Sequence, residues 1–135
     1  MKIVIDSNVL FSALIKDSKT RRIILKYNEF FLFPQYIFEE MEEHIDELLK
    51  KCEISEKEFS KLLSLILKKV MIVPNNALLP YKEKALEIVK DIDKDDVLFV
   101  ACALAYPESV IWSNDKKLKK QTKVIVLNTK EILDL

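Results

Sequence analysis

Glycine is absent: the 135 residues hold none, where average usage would give roughly nine or ten. Both the GxGxxG dinucleotide fingerprint and the GxxxxGKS/T loop need residues without a Cβ, because backbone must come close to phosphate. Neither can be built from this chain, so any phosphate it meets is handled by side chains or by bound metal. Cysteine is scarce as well. Cys52 and Cys102 match no CxxC or CxxCH spacing, and Cys102 lies in an apolar run over residues 97–106, the pattern of core thiols in a reducing compartment. One histidine, His44, and two scattered cysteines give no recognised zinc spacing. An excess of charge is missing too: 22 Lys plus Arg balance 22 Asp plus Glu, so no global basic field announces a nucleic-acid surface. No stretch approaches the ~18 apolar residues of a membrane span, and the opening MKIVID has neither an apolar leader core nor a small-residue cleavage site. The expectation is a cytoplasmic protein with no membrane partner.

What is present suits one folded unit. Residues 1–135 are expected to form a single domain, and a composition 50% hydrophobic and 33% charged excludes disorder and collagen-like repeats. Five short, nearly continuous apolar runs, at residues 3–5, 30–33, 70–73, 110–112 and 124–127, have the pattern of strands buried on both faces. Helical patterns fill the gaps: 8–15 and 21–27, then 36–51 and 55–69, then 80–91 and 96–106. A short helical turn follows at 114–120, and a last helix runs from a Thr129 cap to Leu135. Ser55 with Glu58 reads as a capping box. The order predicts an α/β fold, a three-layer α/β/α sandwich around a central, mostly parallel five-stranded sheet. The helical face of Phe59, Leu62, Leu63 and Ile66 is read as core, with a homodimer surface as the alternative.

An open parallel sheet leaves a crevice at the carboxyl ends of its strands, and three acids are placed to meet there. Asp6 follows the first strand, Asp115 follows the fourth in the string Trp-Ser-Asn-Asp, and Asp96 opens the helix that feeds the fourth. Singly, each reads as a cap or a first-turn acid favoured by the helix dipole. Jointly they are a set of carboxylates with no arginine assigned to them, since Arg21 and Arg22 are the only two and are adjacent. The usual compensation is a hard divalent cation with oxygen ligands.

These segments also carry a family resemblance. Ile3-Val-Ile-Asp-Ser-Asn-Val-Leu, the Glu-Glu-Met on the helix after Pro34, Asp96-Val-Leu-Phe-Val-Ala-Cys-Ala-Leu and Ile111-Trp-Ser-Asn-Asp115 resemble, in order, the four acidic motifs of PIN-domain ribonucleases. The resemblance runs from Met1 to about Leu127 and is nearest to the small stand-alone proteins grouped with VapC-type toxin nucleases. It implies Asp6, Glu40, Asp96 and Asp115 as catalytic, metal-ligating acids. Periodicity alone leaves Glu40 on one flank of its helix and Glu42 on the other; the resemblance selects Glu40. Ser7 and Asn8 stand where Thr and Asn commonly follow the first acid. Asp93, one turn before Asp96, is an auxiliary acid, and Ser113 and Asn114 are placed to hold water or phosphate. Lys117 occupies a position where relatives often carry a further acid, a departure that bears on a second metal.

The implied chemistry is phosphodiester hydrolysis of an RNA substrate with Mg²⁺ or Mn²⁺, with a cognate antitoxin protein as partner. No Ser-His-Asp or Cys-His arrangement competes. With the four acids neutralised, the remaining eighteen face twenty-two bases, an excess of four positive charges. The densest basic stretch, residues 116–123, begins right after the fourth motif. Lys116, Lys119 and Lys120 in it are the candidate RNA-binding rim, against the alternative of a solvated face. A receiver-type phosphoacceptor domain fails on position: it needs an acidic pair after the first strand and an Asp after the third, where this chain has Asp6 alone and Pro74-Asn-Asn. The rival from another class is a PIN-like domain without activity that binds RNA or protein.

Overall fold

Ile3, Val4 and Ile5 are fully buried, as a strand must be when it is paired along both edges and covered on both faces. In the computed structural model, which describes residues 1–14 and 18–135, they belong to β1 (Lys2–Ile5), the middle of a five-stranded sheet. Its partners are β2 (Phe30–Pro34), β3 (Val70–Val73), β4 (Val110–Trp112) and β5 (Ile125–Leu127). The order is β3-β2-β1-β4-β5 and every pairing is parallel. All five apolar runs of the sequence therefore lie on strands. The chain steps outward from β1 to β3, then crosses to the opposite edge for β4 and β5. That reversal puts the switch point, and the crevice it opens, between the carboxyl ends of β1 and β4.

Register fixes which side chains share a face. Ile3 pairs with Phe31 and Val110, and Ile5 with Trp112, so these residues lie together on one side of the sheet. The Phe33 ring meets Phe99 at 5.8 Å and Phe31 meets Trp112 at 6.3 Å. Val4, Leu32 and Ile111, paired to one another, take the other side. Nine α-helices are seen among the described residues: α1 (Ser7–Leu14), α2 (Lys19–Lys26), α3 (Gln35–Glu43), α4 (Ile45–Cys52), α5 (Glu56–Leu67), α6 (Asn75–Leu78), α7 (Lys82–Val89), α8 (Val97–Ala105) and α9 (Thr129–Leu133). They complete the layers. α8 packs against β1, β2 and β4 with α7 behind it, while α1, α2 and α5 pack together. Phe59 and Ile66 of α5 are buried, and Leu62 and Leu63 pack against the core, so this face is occupied within the chain. Among the described residues no helix is long and apolar enough to cross a membrane.

Beyond shifts of one or two residues at helix ends, the helices depart from the sequence reading in four places. The helix expected over residues 36–51 is two, broken at His44 (φ −107°, ψ 21°); no Pro or Gly marks the break. The helix expected from residue 80 is preceded by α6 and a 3-10 turn at Leu79–Tyr81, and begins at Lys82. Residues 114–120 contain only a 3-10 turn, Leu118–Lys120. The cap of α9 is Asn128, not Thr129: its side chain accepts from the Glu131 N–H, and Glu131 reaches back to the Asn128 N–H, a complete capping box. Ser55 makes only the forward half of such a box, accepting from the Glu58 N–H at 3.1 Å. The predicted helix over 8–15 is α1, and its last residue, Ile15, lies outside the described residues.

Candidate metal centre

β1 ends at Ile5, and the next residue prolongs its pairing, because the Asp6 N–H donates to the Trp112 carbonyl at 3.2 Å. This holds Asp6 at the mouth of the crevice, where one carboxylate oxygen accepts the Val9 N–H at 2.8 Å and so caps α1. Capping and site membership are compatible, since a carboxylate has several acceptor directions. Ser113 stands directly after β4, buried to 1% exposure, with its N–H on the Leu127 carbonyl at 3.0 Å. Its hydroxyl lowers the pKa of the Asp6 carboxyl beside it and accepts the Asp115 N–H at 3.1 Å. One serine thus stands beside both the first acid and the last. Asp115 in turn accepts the Lys117 N–H at 2.9 Å.

Asp96 closes a 3-10 turn (Lys94–Asp96) and occupies the N-cap position of α8 without a side-chain capping bond. Asp93 begins that turn, accepting the Asp95 N–H at 3.0 Å. One carboxylate oxygen each from Asp93, Asp96 and Asp115 lie within 4.8 Å of one another. Burial, then the charges of Asp93, Asp115, Asp6 and Asp95, push the Asp96 carboxyl up to about 7. Asp6 is also raised, by burial and by Asp115, against the lowering effect of Ser113 and of the Val9 and Asn8 N–H groups. Among the described residues no cation is paired with any of these acids. Asp96 Oδ2 is buried with no hydrogen-bond partner, a costly state for a carboxylate oxygen. An all-oxygen donor set with an orphaned, inward oxygen fits a hard divalent cation such as Mg²⁺ or Mn²⁺. It does not suit zinc, which favours nitrogen and sulfur ligands.

The fold therefore brings together Asp6, Asp96 and Asp115, with Ser113 among them. Asp93, auxiliary in the sequence reading, belongs to the tightest trio, and Asp6 is set deeper beside it. Glu40 is elsewhere. It sits exposed on α3 and lines a cleft of about 310 Å³ with Ser7, Phe11, Ile37, Met41 and His44, reaching the centre only through Ser7, the neighbour of Asp6. Glu42 does not line that cleft. Asn8 is exposed. The Asn114 carboxamide oxygen accepts both the Thr129 N–H (2.9 Å) and the Thr129 hydroxyl (3.2 Å), so its side chain braces the turn into α9. Lys116 and Lys120 are exposed, whereas the Lys119 ammonium is paired with Glu131. Sequence reading missed Tyr36, whose hydroxyl pKa is raised by the neighbouring Glu40 carboxylate. Its position one helical turn before Glu40 is the signal that would have found it.

The family model described as PIN domain matches residues 4–132. No curated protein matches the chain. Among solved structures, a chain in the crystal structure of VapBC2 from Rickettsia felis bound to a DNA fragment from their promoter superposes with a TM-score of 0.68 at 17% identity. The match covers 95% of this chain and 98% of that one. At that identity the likeness is one of fold.

Proposed function

This chain belongs to the PIN domain family, and on that premise we propose that it is a metal-dependent ribonuclease, the toxin of a toxin–antitoxin pair acting in the cytoplasm. The observation that carries the catalytic reading is the buried, unpartnered Asp96 Oδ2 inside a trio of carboxylates held within 4.8 Å. Asp93, Asp96 and Asp115 would hold Mg²⁺ or Mn²⁺, with Asp6 as the deeper acid whose direction is fixed by the Val9 N–H. The cation, when bound, lowers the pKa of water and offsets charge building on the reacting phosphate. Ser113 holds the Asp115 backbone by accepting its N–H and favours the ionised form of Asp6 beside it. Ser7, beside Asp6 and on the wall of the Glu40 cleft, is placed to orient a phosphate oxygen. Glu40, exposed on the wall of that cleft, is the candidate general base at the edge of the site. Lys116 and Lys120 steer the RNA backbone.

The fold likeness to VapBC2 supports a cognate antitoxin as protein partner. Cleavage of an unstructured RNA, with and without Mg²⁺ or Mn²⁺, tests the reading on the wild type beside Asp6→Asn and Asp96→Asn. Loss of cleavage in both variants is expected. Cleavage that survives both substitutions would sink the site, and absence of cleavage by every form on a broad RNA panel would make the chain a binding module.

A further inference from the structure

A second cleft lies on the same carboxyl edge of the sheet, past the ends of β2 and β3. It measures about 480 Å³ and is walled by Tyr36, Asn75, Leu79, Lys82 and, from the first turn of α8, Val97 and Leu98. Asp96 is the residue immediately before Val97, so the cleft begins where the acidic trio ends. Neighbouring strands are about 4.8 Å apart, which puts the β2–β3 edge within one or two such steps of β1. That is the reach of a single nucleotide.

The walls have the chemistry of a ligand site more than of unfilled core. Tyr36 and Leu79 are 50% and 60% exposed, and Tyr36 stands one helical turn before Glu40 on α3. Gln35 accepts the Asn75 N–H at 3.1 Å, which ties the start of α3 to the start of α6 and fixes Asn75 at the rim. Among the described residues nothing engages the Asn75 carboxamide or the Lys82 ammonium. An exposed aromatic face, an apolar wall, an amide with donors and acceptor open, and a lysine at the mouth meet the needs of an unstacked base and its phosphate. Tyr36 lines this cleft while Glu40, one helical turn further on, lines the other, so the two clefts adjoin along α3.

Building on the ribonuclease reading above, we propose that this cleft is a base-recognition subsite for the nucleotide next to the cut in single-stranded RNA. Tyr36 and Leu79 hold the base, Asn75 reads its edge and Lys82 takes its phosphate. The test is an NMR titration of the full chain in EDTA with the four nucleoside 5′-monophosphates and with inorganic phosphate, followed by mapping of bases at cut sites in random-sequence RNA. Shifts at the Asn75 side-chain amide and the Tyr36 ring are expected with one base above the others and not with phosphate alone. Asn75→Ala should equalise the four bases, and Tyr36→Ala should weaken binding by about tenfold. Absence of shifts at millimolar mononucleotide, identical shifts with inorganic phosphate, or unchanged binding in both Asn75→Ala and Tyr36→Ala would overturn the subsite. Mononucleotide binding here without any metal-dependent cleavage would uphold the subsite and sink the ribonuclease reading. Cleavage with the same base preference in wild type and Asn75→Ala would do the reverse.

Discussion

Asp93 and Asp96 each place a carboxylate oxygen within 4.8 Å of the other and of Asp115, and after burial Asp93 contributes most to lifting Asp96 to about 7. In the metal-free protein this closeness is a stability cost with a definite sign. A carboxyl whose folded pKa is raised binds more protons folded than unfolded between the usual carboxylate range near 4 and about 7. Stability is therefore greatest below that window and is lost as pH rises through it. In EDTA the thermal midpoint is expected to fall by several degrees from pH 5 to pH 8. Asp96→Asn should flatten that fall and raise the midpoint at pH 8. Mn²⁺ should stabilise the wild type more at pH 8 than at pH 5, and Asp96→Asn hardly at all. Differential scanning calorimetry at the two pH values checks each point; a midpoint that rises with pH in EDTA would contradict the argument.

Asp6 separates two functions that one side chain performs. Its Oδ1 caps α1 through the Val9 N–H, a task an asparagine oxygen does equally well. Asp6→Asn should keep its stability and lose about 10²–10³ in cleavage rate. Asp6→Ala should lose the same activity and also about 1 kcal/mol of folding free energy, read from urea denaturation. Equal stability of the two variants would show that the cap contributes nothing.

The basic stretch after β4 divides in the same way. Lys119 is committed to Glu131, and Lys116 and Lys120 are exposed. Each of the latter is expected to lower the slope of log K against log salt for single-stranded RNA by about 0.7 when changed to alanine. Lys119→Ala should lower it less. Fluorescence anisotropy across a salt series, with Asp96→Asn as the non-cleaving background, measures all three; identical slopes throughout would remove the stretch from the RNA path.

The brace behind Asp115 runs through the one tryptophan. The buried Trp112 indole N–H donates to the Thr129 hydroxyl at 3.0 Å, which donates to Asn114 at 3.2 Å. Thr129→Val keeps the shape and strands the indole donor, at a cost of about 1–3 kcal/mol. Thr129→Ser should be near neutral. Guanidinium unfolding followed by Trp112 emission reports both, and a harmless Thr129→Val would mean that the indole finds another acceptor.

How much of this was legible in the sequence follows from what each feature depends on. The strands were, because burial on both faces writes unbroken apolar runs such as those that became β1 and β4. The acids at their ends were legible because a parallel sheet gathers carboxyl ends at its switch point. Side-chain commitments were not. Asn114 and Lys119 are spoken for by Thr129 and Glu131, partners 15 and 12 residues away that no local pattern announces. The break at His44 carries no Pro or Gly signal, and Asp93 joins the trio through a turn whose geometry depends on the packing of α8. Tyr36 was readable, since it lies one turn from Glu40, but only once a reason existed to ask what stands beside Glu40.

The missing glycines leave a mark on the backbone. Among the described residues two have left-handed φ, Glu53 at 50° and Glu108 at 67°, and both stand where glycine is the usual solution. Glu53 ends α4, and the Ile54 N–H behind it returns to the Leu49 carbonyl at 3.4 Å, the wrap of a Schellman cap. Glu108 follows Pro107 in a turn closed by the Ser109 N–H on the Tyr106 carbonyl at 3.2 Å. Proline second and a positive φ third is the pattern of a type II turn. A side chain in this region costs about 1–2 kcal/mol, of which glycine would give back about 0.5–1 through its freer unfolded chain. Glu53→Gly and Glu108→Gly should therefore each raise stability by about 0.5–1 kcal/mol, and because the two sites are in separate turns their effects should add. Both lie away from the acids, so cleavage should be unchanged. Chemical denaturation of the two single variants and the double variant decides it: destabilisation by either glycine would mean that the Glu side chain makes a compensating contact at that turn.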